Sequence, residues 1–125
     1  MQDEHEESNE LRKRTKSFAI EVIRFVENLP NGKMVDVLAR QLLRCGTSVG
    51  ANYRAACRAK SKPDFISKMG IVEEEADKAI YWLELLVESN AVSKNSVAKL
   101  LKEADEIVAM VVSSIKTARG ALRFK

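Results

Sequence analysis

Few side chains in this sequence are of the types that catalyse reactions, and their spacing does not bring them together. The single histidine, His5, lies in an acidic stretch and has no second histidine with which to bind a metal or transfer a proton. Residues 73–77 contain four acids, but neighbouring carboxylates on a helix point in different directions, and the Glu-x-x-His pairs of di-iron bundles are absent. Ser113 and Ser114 have no base near them in the sequence, and no phosphate-binding glycine loop is present. The sequence therefore predicts no enzyme, no metal and no cofactor.

The basic residues of the second predicted helix form a more informative pattern. At 3.6 residues per turn, its arginines fall within about 40° of one direction, and two lysines follow them. This basic face comprises Arg40, Arg44, Arg54, Arg58, Lys60 and Lys62. Three interpretations stay open: the face binds the phosphates of RNA or DNA, it pairs with acids of a neighbouring subunit, or it is solvated and inert. No aromatic residue lies beside these arginines, so contact with phosphates rather than base stacking is expected.

Composition and charge limit the class of protein. With 125 residues, 46% hydrophobic and 31% charged, the chain is typical of one helix-rich globular domain. The net charge of +3 is unevenly distributed: residues 33–68 carry eight Lys or Arg against two Asp, whereas residues 69–106 carry nine acids against four Lys. No apolar run approaches the roughly 18 residues of a membrane span, and the N-terminus is acidic where a signal peptide is basic. A cytoplasmic location away from membranes is expected.

Apolar residues recur at helical spacing in four segments, and no segment alternates with the period of a strand. The first stripe runs from Leu11 to Leu29, and the second segment covers about 34–60. The third opens at Ser61, which is placed to cap a helix, and the fourth, whose stripe includes Ser114, begins near Ser93. The prediction is an all-α, antiparallel up-down-up-down four-helix bundle spanning residues 11–118. A flexible acidic segment, 1–10, and a basic tail, 119–125, are expected outside it.

Two glycines in the middle of the second segment require an explanation, since each costs about 0.5–1 kcal/mol relative to alanine in a helix. One explanation is a turn, as in a helix-turn-helix protein. The other is an unbroken helix whose small residues let a neighbouring helix approach closely. The core stripe keeps its phase from Leu38 to Ala56, which a turn would disrupt, so the unbroken helix is favoured. The stripe of small residues comprises Ala39, Gly46, Gly50 and Cys57.

Two stretches, "QLLRCGTSVGANYR" and "SKPDFISK", together with the helices around them, resemble a known family over about residues 12–118. These are small four-helix-bundle proteins first noticed as products of open reading frames in intervening sequences of bacterial 23S ribosomal RNA genes. Cys45 stands where serine or alanine is more usual in the family. The resemblance implies a pentameric ring of bundles. One branch is the accessory protein of diversity-generating retroelements, which implies nucleic acid and a protein such as a reverse transcriptase as partners.

The third predicted helix carries a candidate surface for self-association. Apolar side chains lie on its outer flank, away from the direction of the core, and exposed apolar patches commonly mark interfaces. The candidate interface comprises Ile71, Lys78, Trp82 and Leu85. Packing of the tryptophan and leucine against a neighbouring helix of the same chain is the alternative explanation. Two classes of function therefore stay open: a non-enzymatic, oligomeric nucleic-acid-binding accessory factor, or a purely structural or protein-interaction oligomer.

Overall fold

The chain folds into four long helices, as the periodicity predicts. The computed structural model describes residues 2–123, with side chains described for residues 6–121. The helices are α1 (Gln2–Glu27), α2 (Lys33–Cys57), α3 (Lys62–Glu88) and α4 (Lys94–Arg123). Sequential helices pack against one another, and α4 also packs against α1, which closes an antiparallel bundle. The described residues contain no strand, so the all-α fold is confirmed.

The core lies along the inner faces of all four helices, where the apolar stripes meet. Predicted stripe residues such as Phe18, Leu42, Met69, Leu83 and Ile107 are fully buried. On α4 the stripe passes through Ile115, which is 6% exposed, whereas Ser114 is only half-buried. The difference arises because an α-helix has 3.6 residues per turn. In a long helix, a stripe spaced by strictly alternating steps of three and four residues therefore drifts away from the buried side.

Local sequence accounts for the ends of the helices. The hydroxyl of Ser61 accepts a hydrogen bond from the Asp64 amide (3.2 Å), as expected of a capping residue, and Pro63 lies in the first turn of α3. Gly32, immediately before α2, has φ of +153°, a conformation that side chains disfavour. After α3, Asn90 adopts the left-handed conformation with φ of 65°, and the amide of Ala91 donates to the Leu86 carbonyl.

The helical part of the chain is longer than expected at both ends. Since α1 begins at Gln2 and α4 ends at Arg123, helix continues through both expected boundaries, at residues 11 and 118. The acids of the first residues favour this extension because they complement the helix dipole at its N-terminus. The hydroxyl of Tyr53 on α2 also donates to the Ser8 carbonyl (3.3 Å), which joins this part of α1 to the bundle. The side chain of His5 and the last two residues of the basic tail lie outside the described residues.

Candidate nucleic-acid interface

The arginines of the basic face line the outside of α2, directly opposite its buried stripe. Arg40, Arg44, Arg54 and Arg58 are exposed, whereas Leu42 and Val49 on the other side of the helix are fully buried. At 1.5 Å per residue the row from Arg40 to Arg58 is about 27 Å long. It is interrupted near its middle by small residues, two of which, Thr47 and Ser48, donate their hydroxyls to carbonyls one turn back.

None of the six basic residues forms an ion pair with any residue whose side chain is described. Arg14 on α1 provides a contrast, since it binds Glu103 (2.8 Å) and Glu106 (2.7 Å) on α4. The hydrogen bonds that Arg14 donates to these two carboxylates raise the pKa of Arg14 above its usual range. The positive charge of the basic face is therefore available to an external anion.

The basic face continues past the end of α2, because the helix ends at Cys57 and not near residue 60 as predicted. Arg58 caps α2, Lys60 lies in the short connection, and Lys62 begins α3. The acid nearest to these lysines, Asp64, accepts hydrogen bonds from the Lys68 ammonium (2.6 Å) and the Lys60 amide (3.0 Å). The bond from Lys68 is the main cause of the lowered pKa of Asp64. Asp64 is therefore already occupied by donors of this chain.

The helix that lies against the stripe of small residues is α1. Since α2 is continuous through Gly46 and Gly50, the helix-turn-helix alternative is excluded. A Cβ at Gly46 would lie 2.9 Å from both γ-methyl groups of Val22, and one at Gly50 would lie 3.3 Å from the Thr15 carbonyl oxygen. At the far end of the stripe, the Cys57 thiol lies 3.7 Å from the Ser8 hydroxyl. Ala39, at the near end, is half-buried.

The candidate interface on α3 separates into buried and exposed parts. Trp82 and Leu85 pack against the core, and the indole nitrogen of Trp82 is buried without a hydrogen-bond partner among the described residues. Ile71 is 42% exposed, and the exposed Lys78 lies 3.5 Å from Glu75. Tyr81, which the sequence pattern did not identify, is 54% exposed and stacks edge-on against Trp82, with ring centroids 5.1 Å apart.

A groove of about 760 Å³ opens at the end of the bundle where α2 leads into α3. Apolar and aromatic side chains form much of its wall, and Lys60 and Lys62 also line it. The sequence did not reveal this groove, because its lining comes from all four helices and no local pattern connects them. The Arg14 cluster was missed for the same reason, since its partners are about 90 residues away in sequence.

The two cysteines occupy different environments. Burial raises the pKa of the Cys45 thiol, and the nearby Glu75 carboxylate adds to the effect. Cys57 is half-buried and contributes to the groove. Its neighbour Tyr53, which is 4% exposed, has a pKa raised to about 12, mainly because of burial. Both cysteines are free thiols.

Comparison with known proteins identifies the family. The model of the 23S rRNA-intervening sequence protein family matches residues 7–113, which is most of the chain. The chain belongs to this family. A crystal structure of a protein of unknown function from Bacteroides thetaiotaomicron, from the S23 ribosomal protein family, is 34% identical to the chain. The match covers 88% of this chain and 98% of the other, with a TM-score of 0.82. No curated protein matches the chain significantly.

Membership of the family agrees with the resemblance seen in the sequence, and the four helices agree with the fold that this resemblance implies. Within the part of the chain that the structure describes, no cluster of His, Cys, Asp or Glu is arranged to hold a metal ion. No described helix is long and apolar enough to cross a membrane.

Proposed function

We propose that this family member is a non-enzymatic, cytoplasmic oligomer that binds the phosphate backbone of RNA or DNA through the basic face of α2. The observation that supports this most directly is the row of exposed arginines without ion pairs among the described side chains. Elsewhere in the bundle Arg14, Lys68 and Lys78 have carboxylate partners. Guanidinium groups bind phosphate oxygens with two parallel hydrogen bonds, which suits them to this role.

Oligomer formation is part of the proposal, and a pentameric ring is the state that the family resemblance implies. Support comes from Ile71 and Tyr81, two apolar side chains that α3 exposes to solvent, since contact with a neighbouring subunit would bury them. A ring multiplies the basic face, so a modest charge on each subunit produces strong binding to one polyanion. A protein partner such as a reverse transcriptase is compatible with this arrangement.

A second function is supported by the charge distribution. Residues 73–77 on α3 include three glutamates and one aspartate, opposite in sign to the arginines of α2. In a ring each subunit joins two different surfaces, so the arginines of one subunit would face the acids of the next. The protein would then be a structural or protein-interaction oligomer without a role in nucleic-acid binding.

The test is a fluorescence anisotropy titration of the intact oligomer with labelled single-stranded RNA and duplex DNA, at low and at physiological salt. Phosphate binding depends on counterion release, so affinity should fall steeply with salt and vary little with sequence. An oligomer that binds neither polymer at low salt would overturn the nucleic-acid proposal in favour of the second function.

A further inference from the structure

We infer that the groove at the end of the bundle receives an unstacked base of a single-stranded nucleic acid, whose adjoining phosphates bind Lys60 and Lys62. This inference rests on the proposed function and adds to it a preference for single strands. The groove lies where α2 leads into α3, so the last residues of the basic face are also part of its lining. A strand that follows the arginines of α2 therefore arrives at the groove.

The apolar and aromatic side chains in the wall of the groove suit the flat ring of a nucleic-acid base. Phe65, from the first turns of α3, is half-buried and lines the groove, while Leu11 and Met110 add apolar surface from α1 and α4. Tyr53 is only 4% exposed and its hydroxyl donates to the Ser8 carbonyl (3.3 Å), so it supports the wall, while Phe65 is the ring available for stacking. Aromatic side chains supply stacking energy to bound bases whatever the base, and the face of α2 has none.

Two serine hydroxyls on α4 add polar groups to the wall of the groove. Ser113 and Ser114 on α4 line the groove, and neither hydroxyl donates a hydrogen bond to any described residue. Serine hydroxyls both donate and accept, so they can bind the edges of different bases. Pockets with apolar walls and a few convergent polar groups are typical of small-molecule and cofactor sites. The volume of about 760 Å³ lies in the usual range for such sites, roughly 300–1,000 Å³.

The positive charge at the rim of the groove favours an anionic ligand. Lys60 and Lys62 are exposed, and no described carboxylate pairs with either ammonium group. Asp64 is occupied by Lys68 and the Lys60 amide, and Glu7 is the one acid among the lining residues whose side chains are described. An apolar cavity with two cations at its edge complements a ligand that joins an aromatic ring to a phosphate. A duplex must first unstack and unpair a base before it can insert it, so a single strand is preferred.

The experiment compares binding of a labelled oligo(U) and of a DNA duplex to the intact oligomer at low salt. Ser113→Trp fills the groove from an exposed position on α4, and Ala98→Trp adds the same side chain at an exposed position of α4 outside the lining. We expect Ser113→Trp to weaken oligo(U) binding on the order of tenfold, the loss of one stacked base, with duplex binding unchanged. Ala98→Trp should change neither.

A double variant, Lys60→Gln with Lys62→Gln, tests the lysines at the groove. The matched control is a second double variant on α4, Lys94→Gln with Lys102→Gln. The first pair should reduce both the affinity for oligo(U) and its salt dependence more than the second pair does. Cys57 lines the groove, so bound oligo(U) should also slow its alkylation, whereas bound duplex should not.

Particular results would overturn the inference. If duplex and oligo(U) bind equally to the unaltered protein, and Ser113→Trp changes neither, the proposed function stands and the groove is not its base site. Protection of Cys57 by a fatty acid or an amphipathic peptide, but not by oligo(U), would assign the groove to another occupant. If neither oligo(U) nor duplex DNA binds, the proposed function itself fails. Equal binding of both polymers contradicts only the preference for single strands.

Discussion

Val22 of α1 occupies the space beside Gly46 of α2 in which any other residue would place its β-carbon. That carbon would lie 2.9 Å from both methyl groups of a valine that is fully buried. A valine side chain has little rotamer freedom in a helix, so it cannot move aside at low cost. The glycine lowers the intrinsic stability of α2 and in return allows the two helices to approach closely.

The first prediction concerns this contact. Gly46→Ala should lower the free energy of unfolding by about 1–3 kcal/mol, because overpacking a rigid core exceeds the gain in helix propensity. Gly70→Ala is the matched control, since a Cβ there meets nothing within 4 Å. It should raise stability by about 0.4–1 kcal/mol. Urea unfolding followed by circular dichroism measures both. Equal effects of the two substitutions would contradict the close approach, and Val22→Ala should relieve part of the loss in Gly46→Ala.

Arg14 connects α1 to α4, and its removal should destabilise the bundle. Arg14→Met leaves Glu103 and Glu106 beside each other without their shared cation. The cluster is partly exposed and therefore screened by solvent, so the expected loss is about 1 kcal/mol. Arg24→Met is the control because Arg24 is exposed and lies 3.8 Å from Glu21. It should change stability by no more than about 0.5 kcal/mol in chemical denaturation.

Reversing charge on the basic face should abolish binding of nucleic acid if the proposed function is correct. The double substitution Arg44→Glu with Arg58→Glu acts on residues that have no ion pair among the described side chains, so folding should be retained. Lys94→Glu with Lys102→Glu changes the net charge equally on α4. Anisotropy at low salt should show loss of binding only in the first variant. Equal loss in both would indicate a non-specific effect of net charge.

The α3 surface should control assembly. Ile71→Glu places a charge at an exposed apolar position and should dissociate the oligomer while the helical content of the folded chain is retained. Ile23→Glu is the control, because Ile23 on α1 is 41% exposed and Ile71 is 42% exposed. This control variant should leave assembly intact. Light scattering should give five times the 14.0 kDa chain mass for the unaltered protein and a lower mass for Ile71→Glu. A monomer before substitution would refute the oligomer proposal.

The two thiols should react at different rates with a thiol-specific reagent. Burial raises the pKa of Cys45, so a smaller fraction of it is thiolate at a given pH, and its rate should continue to rise with pH into the alkaline range. Cys57, half-buried at the groove, should react first in the folded protein. Cys57→Ser should remove the fast phase, leaving a slow one that urea accelerates. Fast reaction of Cys45 in the folded state would contradict its burial.

The sequence by itself determined the class of fold and the family. Each helix buries one stripe, and that stripe repeats with the period of the helix, so local pattern alone identifies Phe18, Leu42, Met69 and Ile107 as core. The same phase argument predicted that α2 is continuous through Gly46 and Gly50. The ends of α1, α2 and α4 were predicted less well, because helix ends depend on contacts made elsewhere, such as that of Ser8 with Tyr53.

The tertiary structure decided which features of different helices meet. Periodicity assigns a residue to one side of its own helix. It does not specify which neighbouring helix lies on that side, or how far apart the helices lie at the end of the bundle. Packing placed Val22 beside Gly46 and brought Arg14 to its two glutamates. It also packed Trp82 against the core, while Ile71 on the same helix stayed exposed. The groove at the end of the bundle exists only in three dimensions, since its lining is distributed over residues 7–118.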